Sequence, residues 1–322
     1  MTFLDNGKIA ETLKMSDVIS CVESVYVQKA NDQTVVWPTT FYEFDPGHAD
    51  MDIKSGYLKG AGLFGHKTVS WVEANKDKGL PDLNGIIVVY SDETGIPLGV
   101  LEASYITGMR TGAAGAVGAK YLARKDSETL LIAGAGNQAY FQVLAMVSAF
   151  PKLKRILIAN PRTPEKAVSF ANVLPERLKA SGAGSIPDIS ACEIKAGCEA
   201  ADIIITCTSA REALIKSEWV KPGTHFSCIG ADMPGKQEID EKLFDGALVY
   251  ADDLMHCISS GEMETALKKG IIKESDIKGE IGSLILGKIE GRTNDRQISI
   301  FDATGMALLD IATAKIALDA VK

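Results

Sequence analysis

The stretch that decides the fold is TLLIAGAGNQA, residues 129–139. An apolar run, Thr129–Ala133, is followed at once by the pattern G-x-G-x-x-A. An amphipathic segment, residues 138–150, comes next and stops before a proline. This order predicts a strand, a tight turn and a helix.

Each small residue of the turn has a physical role in that arrangement. Gly134 permits the tight turn, Gly136 has no side chain to block an approaching pyrophosphate, and Ala139 lets helix and strand pack closely. Backbone N–H groups and the helix dipole attract an anion to the helix start. We therefore predict a dinucleotide site here, with a tight turn built of small residues as the alternative.

Working outward, short apolar runs alternate with helical segments through the second half of the chain. Five more runs lie at residues 156–159, 203–206, 225–229, 247–251 and 298–301. Thr163, Pro164 and Glu165 begin one of the intervening helices with a capping hydroxyl, a proline and an acid. The alternation predicts an α/β fold with a Rossmann-like, doubly wound parallel sheet.

The first hundred residues have a different pattern. Runs at 86–90 and 96–101 flank a turn and predict a hairpin, and 66–72 predicts another strand, so this part is an α+β domain. A glycine- and alanine-rich helix, 106–123, joins the domains, and an amphipathic helix, 305–322, returns to the first one. We expect a substrate-binding and dimerisation domain of residues 1–112 plus 304–322. The dinucleotide-binding domain, 113–303, is inserted into it.

Net charge, apolar runs and cysteine content limit the partners and the cellular location that we expect for this protein. The net charge of −8 argues against nucleic acid as the partner. The absence of a long apolar run or a signal-like start predicts a cytoplasmic protein without a membrane partner. The six cysteines show no CxxC spacing and are too sparse for a disulfide scaffold, so we expect reduced, mostly buried thiols. We expect no metal site, and we interpret the cluster of Asp45, His48, Asp50 and Asp52 as a solvated turn.

The end of the second strand bears on the choice of cofactor. NAD-selective sites usually place a carboxylate there for the ribose 2′-hydroxyl. Here the chain continues with Asn160, Pro161, Arg162 and Thr163, and Arg162 could pair with a 2′-phosphate. We therefore favour NADP(H) over NAD(H), the alternative being that Arg162 is only a solvated charge.

Several further motifs follow one another along the chain. They are GHKTVS (65–70), GLP (79–81), TGIPL (94–98), MRTGAA (109–114), LARKD (122–126), GAGNQ (134–138), GADMPGK (230–236) and FDATG (301–305). In this order and spacing the sequence resembles the ornithine cyclodeaminase/μ-crystallin family, which includes an archaeal type of alanine dehydrogenase and imino-acid reductases. The resemblance implies a homodimer.

The resemblance also implies roles for individual residues. Lys67 and Arg110 match positions that hold the substrate near the nicotinamide, and Asp232 matches the catalytic carboxylate. Lys54 is a possible substitute for an arginine that the cyclodeaminases carry upstream and that this sequence lacks. The predicted cofactor-binding residues are Thr111, Gly134, Ala135, Gly136, Asn137, Gln138, Asn160, Arg162, Thr163, Thr206, Thr304 and Gly305.

The residues themselves support the three central roles. Asp232 follows a predicted strand at the carboxyl edge of the sheet, where ligands of open α/β sheets bind. Arg110 is a lone cation among small residues and needs an anion, which a substrate carboxylate could supply. Lys67 lies in an apolar strand, where its pKa can fall. The alternatives are that Asp232 caps a helix, Arg110 pairs with Glu102 or another acid, and Lys67 snorkels.

We therefore predict an NAD(P)-dependent oxidoreductase that transfers hydride at the α-carbon of a small amino acid or cyclic imino acid. One alternative is an ornithine cyclodeaminase-type ammonia lyase with catalytic NAD. Another is a μ-crystallin-like protein that binds NADPH and a small ligand.

Overall fold

In the computed structural model, which describes residues 1–322 apart from Lys76, the chain divides into two compact units. One unit is Met1–Arg110 with Met306–Lys322, and the other is Thr111–Gly305. The strands are β1 (Thr2–Leu4), β2 (Thr34–Val36), β3 (Thr40–Asp45), β4 (Ala49–Leu58), β5 (Leu63–Val72), β6 (Leu83–Ser91), β7 (Pro97–Glu102), β8 (Thr129–Ala133), β9 (Arg155–Ala159), β10 (Asp188–Ala191), β11 (Ile203–Thr206), β12 (Arg211–Ile215), β13 (His225–Cys228), β14 (Gln237–Ile239), β15 (Leu248–Ala251), β16 (Ile277–Glu280) and β17 (Ser299–Asp302).

The α-helices are α1 (Asn6–Thr12), α2 (Met15–Ala30), α3 (Ala103–Leu122), α4 (Asn137–Ala149), α5 (Pro164–Ala180), α6 (Ile194–Ala200), α7 (Leu254–Ser260), α8 (Met263–Lys268), α9 (Ile281–Ile285) and α10 (Ala307–Ala320). The described helices include none that is both long and apolar enough to cross a membrane.

The unit formed by the two chain ends contains one seven-stranded sheet. Its strands lie in the order β1-β7-β6-β5-β4-β2, and β3 also pairs with β4. The pairs β4–β5, β5–β6 and β6–β7 are antiparallel, which confirms the predicted hairpin and strand. Helix α10 packs against β4, β5 and β6, and against α2.

Helix α10 differs from its sequence-based description in one respect. Residues 307–311 are all buried, so its first turns are covered on every side instead of forming an amphipathic stripe. One of these buried residues, Asp310, is charged. Only the later turns of the helix expose a polar side.

The unit Thr111–Gly305 is built on an eight-stranded sheet in the order β10-β9-β8-β11-β13-β17-β15-β16. Every pairing in it is parallel, which confirms the predicted Rossmann-like α/β fold. Strand β8 has β9 on one side and β11 on the other, so the chain reverses its winding there. In such sheets ligands bind at the carboxyl ends of the strands beside this reversal.

The six predicted strands of this sheet are present, and two edge strands were missed. Strand β10 alternates exposed and half-buried residues, and β16 has one exposed and two half-buried residues. An edge strand needs fewer apolar side chains than a central one, so neither has the continuous apolar run that marked the others.

Candidate functional site

The glycine turn after β8 has the geometry expected for a bound pyrophosphate. Gly134 has a φ of +135°, and a Cβ on it would lie 2.9 Å from the carbonyl oxygen of Cys207. Gly136 caps the start of α4, and a Cβ there would meet no atom within 4 Å. The turn therefore leaves an open approach to the first N–H groups of α4, which suits an anion.

A cavity of about 370 Å³ lies over this turn. Eight predicted cofactor residues line it: Gly134, Ala135, Gly136, Asn137, Gln138, Asn160, Arg162 and Thr163. Cys207, Thr208, Ser209 and Leu214, from the chain after β11, also line it and were not predicted. The residues present therefore fit a dinucleotide, since the cavity joins the ends of β8, β9 and β11.

Four predicted cofactor residues of the same unit, Thr111, Thr206, Thr304 and Gly305, do not line this cavity. Thr206 is fully buried and does not line the cavity; the next three residues do. The hydroxyl oxygen of Thr206 is buried and has no hydrogen-bond partner among the described residues. Thr111, at the start of this unit, accepts a hydrogen bond on its carbonyl oxygen from Gln142 Nε2 over 3.0 Å.

The segment Thr304–Gly305 is held by a buried carboxylate, Asp252. Oδ1 of Asp252 accepts from the backbone nitrogen and the hydroxyl of Thr304, at 3.2 and 3.3 Å. Oδ2 accepts from the backbone nitrogen of Gly305 over 2.8 Å. Gly305 has a φ of +78°, which favours glycine, so this turn is defined by both backbone conformation and hydrogen bonds.

Asp232 lies beyond the end of β13, as the sequence predicts. Its side chain is about half exposed, and Oδ1 is 2.5 Å from Nζ of Lys236. Lys236 also donates to the carbonyl oxygen of Gly230 over 3.4 Å. The carboxylate is therefore accessible and is held in place by Lys236, a cation whose role the sequence did not predict.

In the other unit, two of the three predicted substrate-binding cations, Lys67 and Arg110, meet at one acid. Nζ of Lys67 lies 3.2 Å from Oδ1 and 3.1 Å from Oδ2 of Asp310. Nε of Arg110 donates to Oδ1 of Asp310 over 3.1 Å. All three residues are buried, with exposed fractions of 4%, 7% and 0% in the order Lys67, Arg110, Asp310. We call these three residues the ion cluster.

Lys54, the third predicted substrate residue, is aligned with Lys67 across the β4–β5 pair. The pKa of Lys67 is lowered from 10.5 to about 8, mainly because burial disfavours the charged ammonium. The repulsion of Arg110 and Lys54 acts in the same direction, and the attraction of Asp310 acts against it. With three cations and one carboxylate, this region has a surplus of positive charge that suits a carboxylate ligand.

Sequence reasoning missed Asp310 and Asp252. It anticipated an anion for Arg110, and named another acid as an alternative to a substrate carboxylate. The signal for Asp310 was available: a lone acid stands in the apolar helix of residues 307–314, as Arg110 stands alone among small residues. Asp252 had no such signal, because it follows an apolar strand as many surface acids do.

Comparison with known proteins gives matches over nearly the whole chain. The model of the ornithine cyclodeaminase/mu-crystallin family matches residues 2–322. An alanine dehydrogenase of Archaeoglobus fulgidus is 35% identical over 317 residues, covering 97% of this chain and 92% of that protein.

Two solved structures cover all of this chain. An archaeal alanine dehydrogenase dimer with bound NAD has a TM-score of 0.90 at 34% identity, over 96% of its chain. A Δ1-pyrroline-2-carboxylate reductase of Thermococcus litoralis, in complex with NADH and L-proline, has a TM-score of 0.92 at 30% identity, over 97% of its chain. The predicted family resemblance is confirmed: this chain belongs to the ornithine cyclodeaminase/mu-crystallin family.

Proposed function

We propose that this chain is a nicotinamide-dependent oxidoreductase that transfers hydride at the α-carbon of a small amino or imino acid. The predicted class of enzyme is confirmed by its relatives, which are named as a dehydrogenase and a reductase and include structures with NAD or NADH. Within the molecule, the observation that carries the proposal is the pair of buried cations, Lys67 and Arg110. Buried cations beside a single acid favour the binding of a second carboxylate.

The proposed roles follow from the chemistry of each side chain. Arg110 and Lys67 bind the α-carboxylate, with Lys54 adding positive charge beside Lys67. Asp232 accepts a proton from the amine as the α-carbon loses hydride, and returns it to the nitrogen when the imine is reduced. The bound dinucleotide supplies the hydride acceptor or donor. Asp252 keeps the turn at Thr304–Gly305 in one conformation.

The test of the reaction is a screen of amino and imino acids with NAD(H) and NADP(H), followed by the absorbance of the reduced nicotinamide. A net change in absorbance supports the oxidoreductase. Ammonia release without net cofactor change supports a cyclodeaminase instead. Tight cofactor binding with neither signal supports a binding protein.

The role of Asp232 is tested by Asp232→Asn. We expect turnover to fall by about 10²–10⁴-fold, the usual range for loss of a general acid–base, with little change in dinucleotide affinity. Glu212→Asn, at an exposed position in β12, is the control. Unchanged turnover in Asp232→Asn would remove this residue from the mechanism.

We also propose that the preferred cofactor is NADP(H). Arg162 is exposed and lines the same cavity as the glycine turn, beside Asn160 at the end of β9. Its guanidinium can form a charge-assisted pair with a 2′-phosphate. Arg162→Ala should weaken NADPH binding by about tenfold or more and leave NADH binding nearly unchanged, whereas Lys166→Ala, also exposed on α5, should change neither. Equal losses for both cofactors would contradict this preference.

A homodimer is proposed as the assembly, with the exposed apolar side chains of residues 35–44 at its interface. Val35, Val36, Trp37, Phe41, Tyr42 and Phe44 are 37–64% exposed and lie on or beside β2 and β3, which both pair with β4. A concentration of large apolar side chains on a surface marks an interaction site. The double change Phe41→Glu and Phe44→Glu should yield monomers in sedimentation velocity, unlike Val168→Glu on α5. Unaltered dimers would place the interface elsewhere.

The proposed location is the cytoplasm. All six cysteines are free thiols, and three of them are buried. Unpaired cysteines are typical of a reducing compartment. Fractionation of cells that express the tagged full chain tests this location.

A further inference from the structure

Asp310 is the residue on which the ion cluster depends. It lies on α10, and it receives Lys67 from β5 and Arg110 from α3. The hydroxyl of Thr107, also on α3, lies 3.4 Å from Oδ1 of the same carboxylate. One fully buried carboxylate on α10 therefore contacts side chains from β5 and α3.

Asp310 is charged in this setting. Burial alone would raise the pKa of Asp310, but Arg110 and Lys67 outweigh that effect and hold the pKa below its usual value. A charged carboxylate that is fully buried needs paired cations, and two are present at hydrogen-bonding distance. The arrangement is therefore mutually stabilising, since each cation also lacks bulk solvent.

The charges around Lys67 come from three other elements. Strand β4 contributes Lys54, α3 contributes Arg110 and α10 contributes Asp310, whereas β6 contributes the apolar Ile87. Asp310 is the one acid among these groups. It opposes burial and the two neighbouring cations, all of which favour loss of the proton from Lys67.

We propose that Asp310 is a positioning residue that fixes Lys67 and Arg110 as a carboxylate-binding pair of cations. This proposal rests on the proposed function, in which that pair binds the α-carboxylate of the substrate. By holding both side chains from one oxygen, Asp310 limits the rotamers that each cation can adopt. By its charge, it keeps Lys67 protonated at neutral pH. Its single negative charge still leaves a positive surplus for the substrate.

The decisive experiment follows the titration of Lys67 itself. In protein labelled with ¹³Cε-lysine, the Lys67 resonance is the one that disappears in Lys67→Arg. We expect it to titrate near pH 8 in the wild type. In Asp310→Asn we expect the midpoint to fall by about one pH unit or more, since an opposite charge this close shifts a pKa by roughly that amount. An unchanged midpoint would overturn the proposal.

This readout needs no turnover, so it separates failure of the proposal from failure of the proposed function. If the screen identifies a substrate, the alkaline limb of kcat/KM should move to lower pH in Asp310→Asn by the same amount as the resonance. A residue with only a structural role would lower the folded fraction without moving either midpoint. Asp319→Asn, at an exposed position on the same helix, is the matched control and should leave the Lys67 midpoint in place.

Asp310→Glu keeps the proposal testable if Asp310→Asn does not fold. It retains the negative charge but displaces it by one methylene. We expect the Lys67 midpoint to stay near its wild-type value, while KM rises by about tenfold and kcat changes less. Wild-type KM and kcat in Asp310→Glu would contradict a positioning role.

Discussion

The ion cluster can be compared with a second buried charged group, which lies in the unit Thr111–Gly305. The two groups differ in how their buried charges are compensated. In the ion cluster, one carboxylate faces two cations within hydrogen-bonding distance. The second group, the carboxyl cluster, consists of Glu238, Glu262 and Asp302, with exposed fractions of 0%, 1% and 0%. Its members repel one another, and no cation among the described residues forms an ion pair with them.

The carboxyl cluster is held mainly by backbone N–H groups. Glu238 accepts from the backbone nitrogens of Thr208 and Gly230, at 2.6 and 2.9 Å. Glu262 Oε1 accepts from the backbone nitrogens of Glu238 and Ile239, both at 2.7 Å. The other oxygen of Glu262, and Oδ1 of Asp302, have no hydrogen-bond partner among the described residues.

In the carboxyl cluster, burial and the neighbouring carboxylates favour the protonated forms. Burial, together with the neighbouring carboxylates, raises the pKa of Glu262 well above its usual value and raises that of Asp302 to about 8. The pKa of Glu238 is also raised, mainly by burial, although its hydrogen bonds oppose this. The contrast teaches that burial alone does not set the charge of an acid; the groups that other elements bring to it do.

The largest expected effect in this comparison comes from removing the anion of the ion cluster. Asp310→Asn preserves shape but leaves Lys67 and Arg110 buried without compensation, which should cost about 3–5 kcal/mol in the free energy of unfolding. Asp302→Asn, the same change in the carboxyl cluster, should be neutral or stabilising at pH 8 because it removes repulsion. Urea denaturation measures both variants. An equal loss in the free energy of unfolding for both variants would contradict the proposed difference between the two clusters.

The next effect is the pH dependence of stability. The folded pKa of Asp302 is raised from 3.8 to about 8, so the folded protein binds a proton that the unfolded chain has released. The stability from this group is fully present below about pH 4 and is lost as pH rises through about 8. We expect the melting temperature of the wild type to fall over this range relative to that of Asp302→Asn, because His225, whose pKa is lowered to about 3, contributes the opposite slope in both proteins. Lys67 acts with the opposite slope, above about pH 8, because its folded pKa is lowered.

A smaller effect is expected from Glu238→Gln. Both oxygens of Glu238 accept backbone hydrogen bonds, and a glutamine can present only one oxygen. One buried N–H group should lose its partner, at about 1–3 kcal/mol. Because Thr208 lines the cofactor cavity, dinucleotide affinity should also decrease. Isothermal titration calorimetry with Glu212→Gln as the exposed control measures this; equal affinities would show that Glu238 does not support the cavity.

The smallest effect is expected for an exposed ion pair on the helix that carries Asp310. Lys315 pairs with Asp319 on α10, and their side chains are 30% and 48% exposed. Lys315→Ala should change the free energy of unfolding by no more than about 0.5 kcal/mol, because solvent screens such pairs. Urea denaturation of Lys315→Ala and Asp310→Asn compares, on the same helix, the loss of a solvent-screened ion pair with the loss of a buried one. A loss as large as that of Asp310→Asn would show that burial is not what separates them.

The parts of this molecule that could be predicted are those with short-range signals. The turn at residues 134–136 follows its strand and precedes its helix within a few residues, so local pattern and glycine chemistry were sufficient. The central strands were equally clear, because strands covered on both faces are continuously apolar. Other features could not be predicted, namely the edge strands β10 and β16 and the fully buried start of α10. Burial at these places depends on elements that are distant in the sequence.

The sequence by itself determined the family, the parallel sheet, the glycine turn and the candidates Lys67, Arg110 and Asp232. Tertiary structure alone decided that Lys67 and Arg110 share Asp310, which lies 243 and 200 residues away along the chain. It also decided that the pKa of Asp310 lies below its usual value while that of Asp302 is raised to about 8. The reason is electrostatic: the charge of a buried group depends on neighbours within a few ångströms, and chain order does not reveal them.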